Sequence, residues 1–134
     1  MRSKAYNNDD SGAPAQFAID RRELDTRTSV IAVTGELDLT TAPQLKWMLV
    51  DAIEEGRSRL VVDLSATSFM DSTALGVLVG VNRGLQDGGQ LLIVCARSSL
   101  LRIFELSGMD GAFTICATLD DALAGPGQRA AEAS

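Results

Sequence analysis

The sequence predicts one α/β domain of order β-β-α-β-α-β-α-β-α: an N-terminal hairpin, then parallel strands wound with helices into a right-handed β-α superhelix. Three observations carry this. The chain has 134 residues, 46% of them hydrophobic, which suits a single buried core. Its apolar residues switch repeatedly between a period of two and a period near 3.6. After the first two strands every strand-to-strand connection runs through a helical pattern, which calls for parallel pairing and right-handed crossovers. Asp20, Arg22, Arg59 and Asp63 alternate with apolar strand residues and require a solvated side, so the helices are expected mainly on one face.

The elements follow in order. Residues 1–16 are polar and hold little to bury, and are expected to be a flexible tail. Phe17–Leu24 alternates as a half-exposed strand, a turn spans Asp25–Thr28, and Val30–Thr34 is a β-branched run. Gly35-Glu36-Leu37-Asp38 is expected to break that strand. Thr40 or Thr41 offers an N-cap, Pro43 sits in the first turn, and a helix runs to about Glu55 with Leu45, Met48, Leu49, Ala52 and Ile53 inward. Trp47 and Val50 flank that stripe and are expected as partly buried core, a partner patch being the other reading. Arg59–Leu64 is the third strand, followed by a short loop. Asp71 opens a second helix ending near Asp87, before Gly88-Gly89. Gln90–Cys95 is the most continuous apolar strand and is expected to be central. Ser98 caps a helix over Ser99–Leu106, Phe113–Cys116 is a fifth strand, and Thr118 starts a last helix ending before Gly125. The domain therefore covers residues 17–124, and 125–134 form a second flexible tail.

Composition excludes several functions. Eighteen acids against twelve bases give a net charge of −6, the wrong sign for a phosphate-backbone binder. No histidine is present, which removes imidazole catalysis and histidine metal sites; no metal or cofactor is expected. The longest uncharged stretch, Ser72–Asn82, has eleven residues, too few to cross a bilayer, so no membrane association is expected. No basic-then-apolar leader opens the chain, and the expected compartment is the cytoplasm. Neither a GxxxxGK loop nor a GxGxxG after a strand occurs. Cys95 has Arg97 two residues on but ends an apolar strand without a base, so it and Cys116 are expected as buried filler.

The informative segment is LSATSFMDSTALGVLVGVN, residues 64–82. With Asp71 as N-cap, its carboxylate accepts the N–H of Thr73 or Ala74, and Ser72 and Thr73 bring two hydroxyls into the first helical turn. A plain cap would explain Asp71 by itself; it does not require the extra hydroxyls. Gly76, Gly80 and Gly84 recur at four-residue spacing, each costing about 1 kcal/mol relative to Ala, which points to a close approach. A neighbouring helix of the same domain is expected at Gly80 and Gly84, and a partner surface at Leu75 and Gly76.

GELDLTTAPQL (35–45), DLSATSFMDSTALGVLVG (63–80), the GG turn at 88–89 and LIVCARSSLLRIFELSGMDGAFTI (92–115) resemble the anti-sigma factor antagonists, the bacterial branch of the STAS domains, and most of all the sporulation-type members. The resemblance implies the STAS fold and a regulatory chain rather than an enzyme. Unphosphorylated, such an antagonist binds an anti-sigma factor that is a Ser/Thr protein kinase, releasing the sigma factor. The kinase phosphorylates a hydroxyl in the Asp-Ser-Ser-Gly loop, which abolishes binding, and a PP2C-like phosphatase restores it. Carried over, the acceptor is Thr73 with Ser72 as the fallback, and the partner surface comprises Asp38, Met70, Asp71, Ser72, Thr73, Ala74, Leu75 and Gly76. Two positions depart from the pattern: Thr73 stands in place of Ser, and Ala74 in place of Gly. The alternative is another STAS role, as a non-catalytic scaffold or accessory subunit in stress signalling or lipid transport. A phospho-aspartate receiver would need a lysine after the fifth strand, where Thr118-Leu119-Asp120 stands instead.

Overall fold

The hairpin forms because Asp25 folds its own turn. One carboxylate oxygen accepts the N–H groups of Arg27 at 2.8 Å and Thr28 at 2.7 Å, and the Leu24 N–H donates to the Thr28 carbonyl at 2.9 Å. In this computed structural model, which describes residues 17–85, 88–109 and 111–124, β1 (Ala18–Glu23) and β2 (Thr28–Leu37) pair antiparallel. Then come α1 (Ala42–Glu54), β3 (Arg59–Met70), α2 (Ser72–Gly84), β4 (Gln90–Val94), α3 (Ser98–Leu106), β5 (Thr114–Cys116) and α4 (Leu119–Ala124). The sheet order is β1-β2-β3-β4-β5, with every pair after the hairpin parallel. The order of elements and the strand directions thus match the predicted α/β layout. The two expected tails, residues 1–16 and 125–134, lie outside the described residues.

Several boundaries differ for physical reasons. Gly35 does not end β2, and the expected loop after Leu64 is strand: Thr34 pairs with Ala66, Gly35 with Thr67, Glu36 with Phe69 and Leu37 with Met70. β3 gains one residue on β2 between the Ala32–Asp63 and Thr34–Ala66 pairs, and another between Gly35–Thr67 and Glu36–Phe69. These are β-bulges, and they explain why Ser65–Ala66 and Ser68–Phe69 are exposed in tandem. Gly35 sits between them at φ +93°, a conformation that glycine adopts at little cost. The buried Thr67 hydroxyl donates to the Val33 carbonyl at 2.9 Å. α2 stops at Gly84 rather than near Asp87, and α3 starts at Ser98, with Arg97 rather than Ser98 at the cap position. β4 is an interior strand as expected, paired with β3 and β5, and β3 is the middle one of the five.

α1, α2 and α3 cover one face, burying Leu45, Leu49, Leu78, Leu100 and Phe104 against Ile31, Leu60, Val62 and Ile93. α4 lies on the other face, where Ala122 packs with Val30, Val61, Leu92, Val94 and Cys116. The central strands are apolar on both sides and need this second cover. Arg59 holds α4 in place, its Nη2 donating to the carbonyls of Ala122 at 2.7 Å and Leu123 at 3.2 Å. Cys95 and Cys116 are buried in these two separate clusters, and burial pushes the Cys95 thiol up, which makes it a poor nucleophile.

The glycine row is not a helix-packing seam. Gly76, Gly80 and Gly84 are exposed, and no atom lies within 4 Å of where a Cβ would stand on any of them. They line one side of an open groove of about 610 Å³ between α1 and α2, with Lys46, Val50 and Ile53 opposite. The expectation of a close helix at Gly80 and Gly84 is therefore corrected. Gly80→Ala fits without a clash, and it is expected to stabilise the domain by about 0.5–1 kcal/mol. Urea unfolding of the variant checks this, since a lower midpoint would reveal an obstruction absent from the structure.

The hairpin also ties the acidic side chains to pH. Arg21 pairs with Glu23 and, at 2.6 Å, with Glu55, while Arg57 pairs with Glu23 at 2.8 Å. The Arg21 guanidinium holds the Glu55 carboxyl below its ordinary value, and the N–H groups of Arg27 and Thr28 do the same for Asp25. A depressed carboxylate stabilises the fold above its unfolded pKa, and that contribution disappears as the pH falls through the folded one. The urea midpoint is therefore expected to drop between about pH 5 and pH 2, and to drop less in the Asp25→Ala, Glu55→Gln double variant. Both groups are exposed, so the difference is small.

Candidate functional site

The site is built where β2 and β3 end side by side and their chains turn into α1 and α2. The Asp71 N–H donates to the Leu37 carbonyl at 3.2 Å, which closes the sheet at this edge. Beyond it the backbone turns, and Asp71 caps α2 as the sequence predicts: its Oδ1 accepts from the N–H groups of Thr73 at 2.9 Å and Ala74 at 3.2 Å. Its Oδ2 does something the sequence did not reveal. It accepts the Leu39 N–H at 3.1 Å, thirty-two positions away, and so clasps the β2–α1 loop to the start of α2.

That loop is held from its other end by Asp38. One Asp38 carboxylate oxygen accepts the N–H groups of Thr40 at 3.0 Å and Thr41 at 3.1 Å. The Thr41 hydroxyl accepts the Asp38 N–H at 2.8 Å and donates to the Glu36 carbonyl at 2.9 Å. Thr41 is the N-cap of α1 by position, yet its hydroxyl faces back into the loop and caps nothing. Asp38 is therefore occupied in shaping the loop, and what the loop displays outward is Leu39, 69% exposed.

Of the other site residues expected from sequence, Ser72 is exposed and Thr73 half-buried, with Thr73 and Gly76 on the groove between α1 and α2. Among the described residues, neither the Ser72 nor the Thr73 hydroxyl makes a hydrogen bond. Met70, Ala74 and Leu75 point into the core, so they support the turn from beneath and present little surface. Trp47 is 63% exposed, which corrects its expected burial. α1 buries Ala42, Leu45, Leu49 and Ala52, and at 100° per residue position 47 falls on the far side of that stripe. Val50 is half-buried on the groove.

Sequence reasoning missed Leu39 and Phe69, the latter 46% exposed two residues before Asp71. A large apolar residue inside the Gly-Glu-Leu-Asp turn and another at a bulged strand end were the available signals. Leu39 and Phe69 are thus exposed apolar side chains in the chain segments that lead into and out of the Asp71 clasp. Among the described residues no group of three or more His, Cys, Asp or Glu side chains is arranged to hold a metal ion. No helix there is long and apolar enough to cross a membrane.

Comparison with known proteins identifies the family. The STAS domain model matches residues 21–122. A Listeria monocytogenes anti-sigma-B factor antagonist is 40% identical over 95 residues, covering 69% of this chain and 82% of that protein. The crystal structure of an anti-sigma factor antagonist from Mycobacterium paratuberculosis superposes with a TM-score of 0.77 at 32% identity, over 84% of this chain and 95% of that one. The phosphorylated form of the Bacillus cell fate determinant SpoIIAA gives 0.64 at 27% identity, over 79% and 96%. A family match over residues 21–122, together with relatives of this identity, means that the chain belongs to the STAS domain family.

Proposed function

We propose that this protein is an anti-sigma factor antagonist that works by docking, not by turnover, and is switched by phosphorylation at the start of α2. The observation that carries the reading is the Asp71 clasp. It fixes the β2–α1 loop and the first turn of α2 as one surface while leaving the Ser72 and Thr73 hydroxyls without hydrogen-bond partners among the described residues. Relatives named as antagonists of anti-sigma factors, and a similar structure described as phosphorylated, support the same reading.

In this scheme the unmodified surface binds an anti-sigma factor that is a Ser/Thr protein kinase, and the sigma factor is released. The kinase moves the γ-phosphoryl group of ATP onto Thr73 Oγ1, with ADP and the hydroxyl proton leaving. Ser72 is the fallback acceptor. A PP2C-like phosphatase transfers the phosphoryl group to water, giving inorganic phosphate and the free hydroxyl. Phosphate adds about −1.5 to −2 charges beside Asp71 and Asp38, and a loss of about 3 kcal/mol weakens binding more than a hundredfold. The protein is expected to act in the cytoplasm, where its kinase and phosphatase would meet it.

Affinity capture from the native cell separates the possibilities. Wild type and Thr73→Ala are expected to retain a small ATP-binding kinase, and Thr73→Asp to retain it weakly, since one carboxylate carries less charge than phosphate. Capture of a non-kinase complex equally by all three would instead favour a STAS scaffold or accessory subunit. Mass spectrometry after incubation with kinase and ATP is expected to find phosphate on Thr73; finding none on Thr73 or Ser72 sinks the switch.

Asp71→Asn tests the clasp itself. One oxygen still caps α2, but the amide group replacing the other cannot accept from Leu39. Stability is expected to fall by about 1.5–3 kcal/mol, the contribution of the lost charged hydrogen bond to Leu39. Hydrogen exchange at the Leu39 amide is expected to speed up, and binding of the anti-sigma factor to weaken.

A further inference from the structure

An added phosphate at Thr73 meets an unusual shortage of donors. Helix N-termini ordinarily hold anions through free N–H groups, yet here Asp71 Oδ1 already takes those of Thr73 and Ala74, and the Leu75 N–H is bonded to the Asp71 carbonyl at 3.2 Å. The Asp71 carboxylate, which accepts the Thr73 N–H, repels the new charge. Arg83 lies in the last turn of α2, at the opposite end of the helix. A cation must come from elsewhere in the fold.

The groove between α1 and α2 supplies one. Both helices leave a strand and return to the next parallel strand, so they run in the same direction. Lys46, in the first half of α1, and Thr73, in the first turn of α2, therefore line the same groove towards the same end, while Glu54 and Gly84 line the other. Lys46 is exposed and, among the described residues, has no ion pair. It is also the only lysine of the chain besides Lys4. We propose that Lys46 is the residue that holds phosphothreonine at position 73: its ammonium crosses the groove to the phosphate and ties α1 to the modified start of α2. This rests on Thr73 as the acceptor, and it makes the phosphorylated state one in which the Thr73 end of the groove is closed by the lysine stem.

The test does not need the kinase. Phosphothreonine is built into position 73 by semisynthesis, and the phosphate is titrated by ³¹P NMR. Its second ionisation, near pH 6 in free phosphothreonine, is expected to lie lower by about half a pH unit or more with Lys46 present than in Lys46→Met. Lys46→Arg is expected to restore the lower value, and Arg83→Met to leave it unchanged. Identical titrations of the Lys46 and Lys46→Met proteins, or a response to Arg83→Met alone, would overturn the proposal. Retained binding of the anti-sigma factor by the phosphothreonine protein would count against the proposed function and leave this pairing standing, so the two failures are distinct.

Discussion

One carboxylate holds the working end of this domain together. Asp71 stands where β3 gives way to α2, and its two oxygens face different parts of the chain: Oδ1 takes the first free N–H groups of α2, and Oδ2 takes the Leu39 N–H of the β2–α1 loop. A hydrogen bond to a charged acceptor contributes about 1.5–3 kcal/mol against 0.5–1.5 for a neutral one. Three such bonds on one side chain make the loop and the helix start a single surface. Asp38 prepares the loop for this role by closing it on Thr40 and Thr41, so that Leu39 projects while its N–H turns inward.

The geometry upstream explains how Asp71 comes to face Leu39. The two bulges let β3 follow β2 as far as the Leu37–Met70 pair, and Gly35 allows β2 to bend with it at φ +93°. With the strands ending level, their outgoing chains emerge as neighbours. A regular ladder, with no extra residues in β3, would place the Asp71 carboxylate out of register with the loop. The backbone irregularity and the site are therefore one feature.

This is also where the sequence stops being legible. The order of elements, the Asp25 turn, the Asp71 cap and the stripe of Leu45, Leu49 and Ala52 all follow from local rules, since each depends on residues within a few positions of one another. The continuation of β3 through Ser65–Met70 does not, because bulges break the period-two alternation that announces a strand, and polar Ser65, Thr67 and Ser68 look like a loop. The Leu39 clasp joins positions thirty-two apart and leaves no periodic trace. The second sheet face was partly visible in the doubly apolar β4, yet only the fold shows that α4, which follows the last strand and so crosses nothing, is the helix free to cover it. The glycine row shows the converse: spacing alone pointed to a packed seam, whereas the groove keeps α1 away from all three positions.

The same clasp bears on how modification acts under the proposed function. A phosphate that displaced Asp71 from the Thr73 and Ala74 N–H groups would release Leu39 at the same time, and the loop would lose its hold. A phosphate drawn across the groove towards Lys46 does not compete for the N–H groups that Asp71 holds, and leaves Asp71 in place. The second route costs no native hydrogen bond and gains an ion pair at a partly exposed site, worth up to about 1 kcal/mol. The first sacrifices several charged hydrogen bonds. Under the proposed scheme the domain would then keep its fold on modification, and what would change for a partner is the charge and the closed groove beside an unmoved loop.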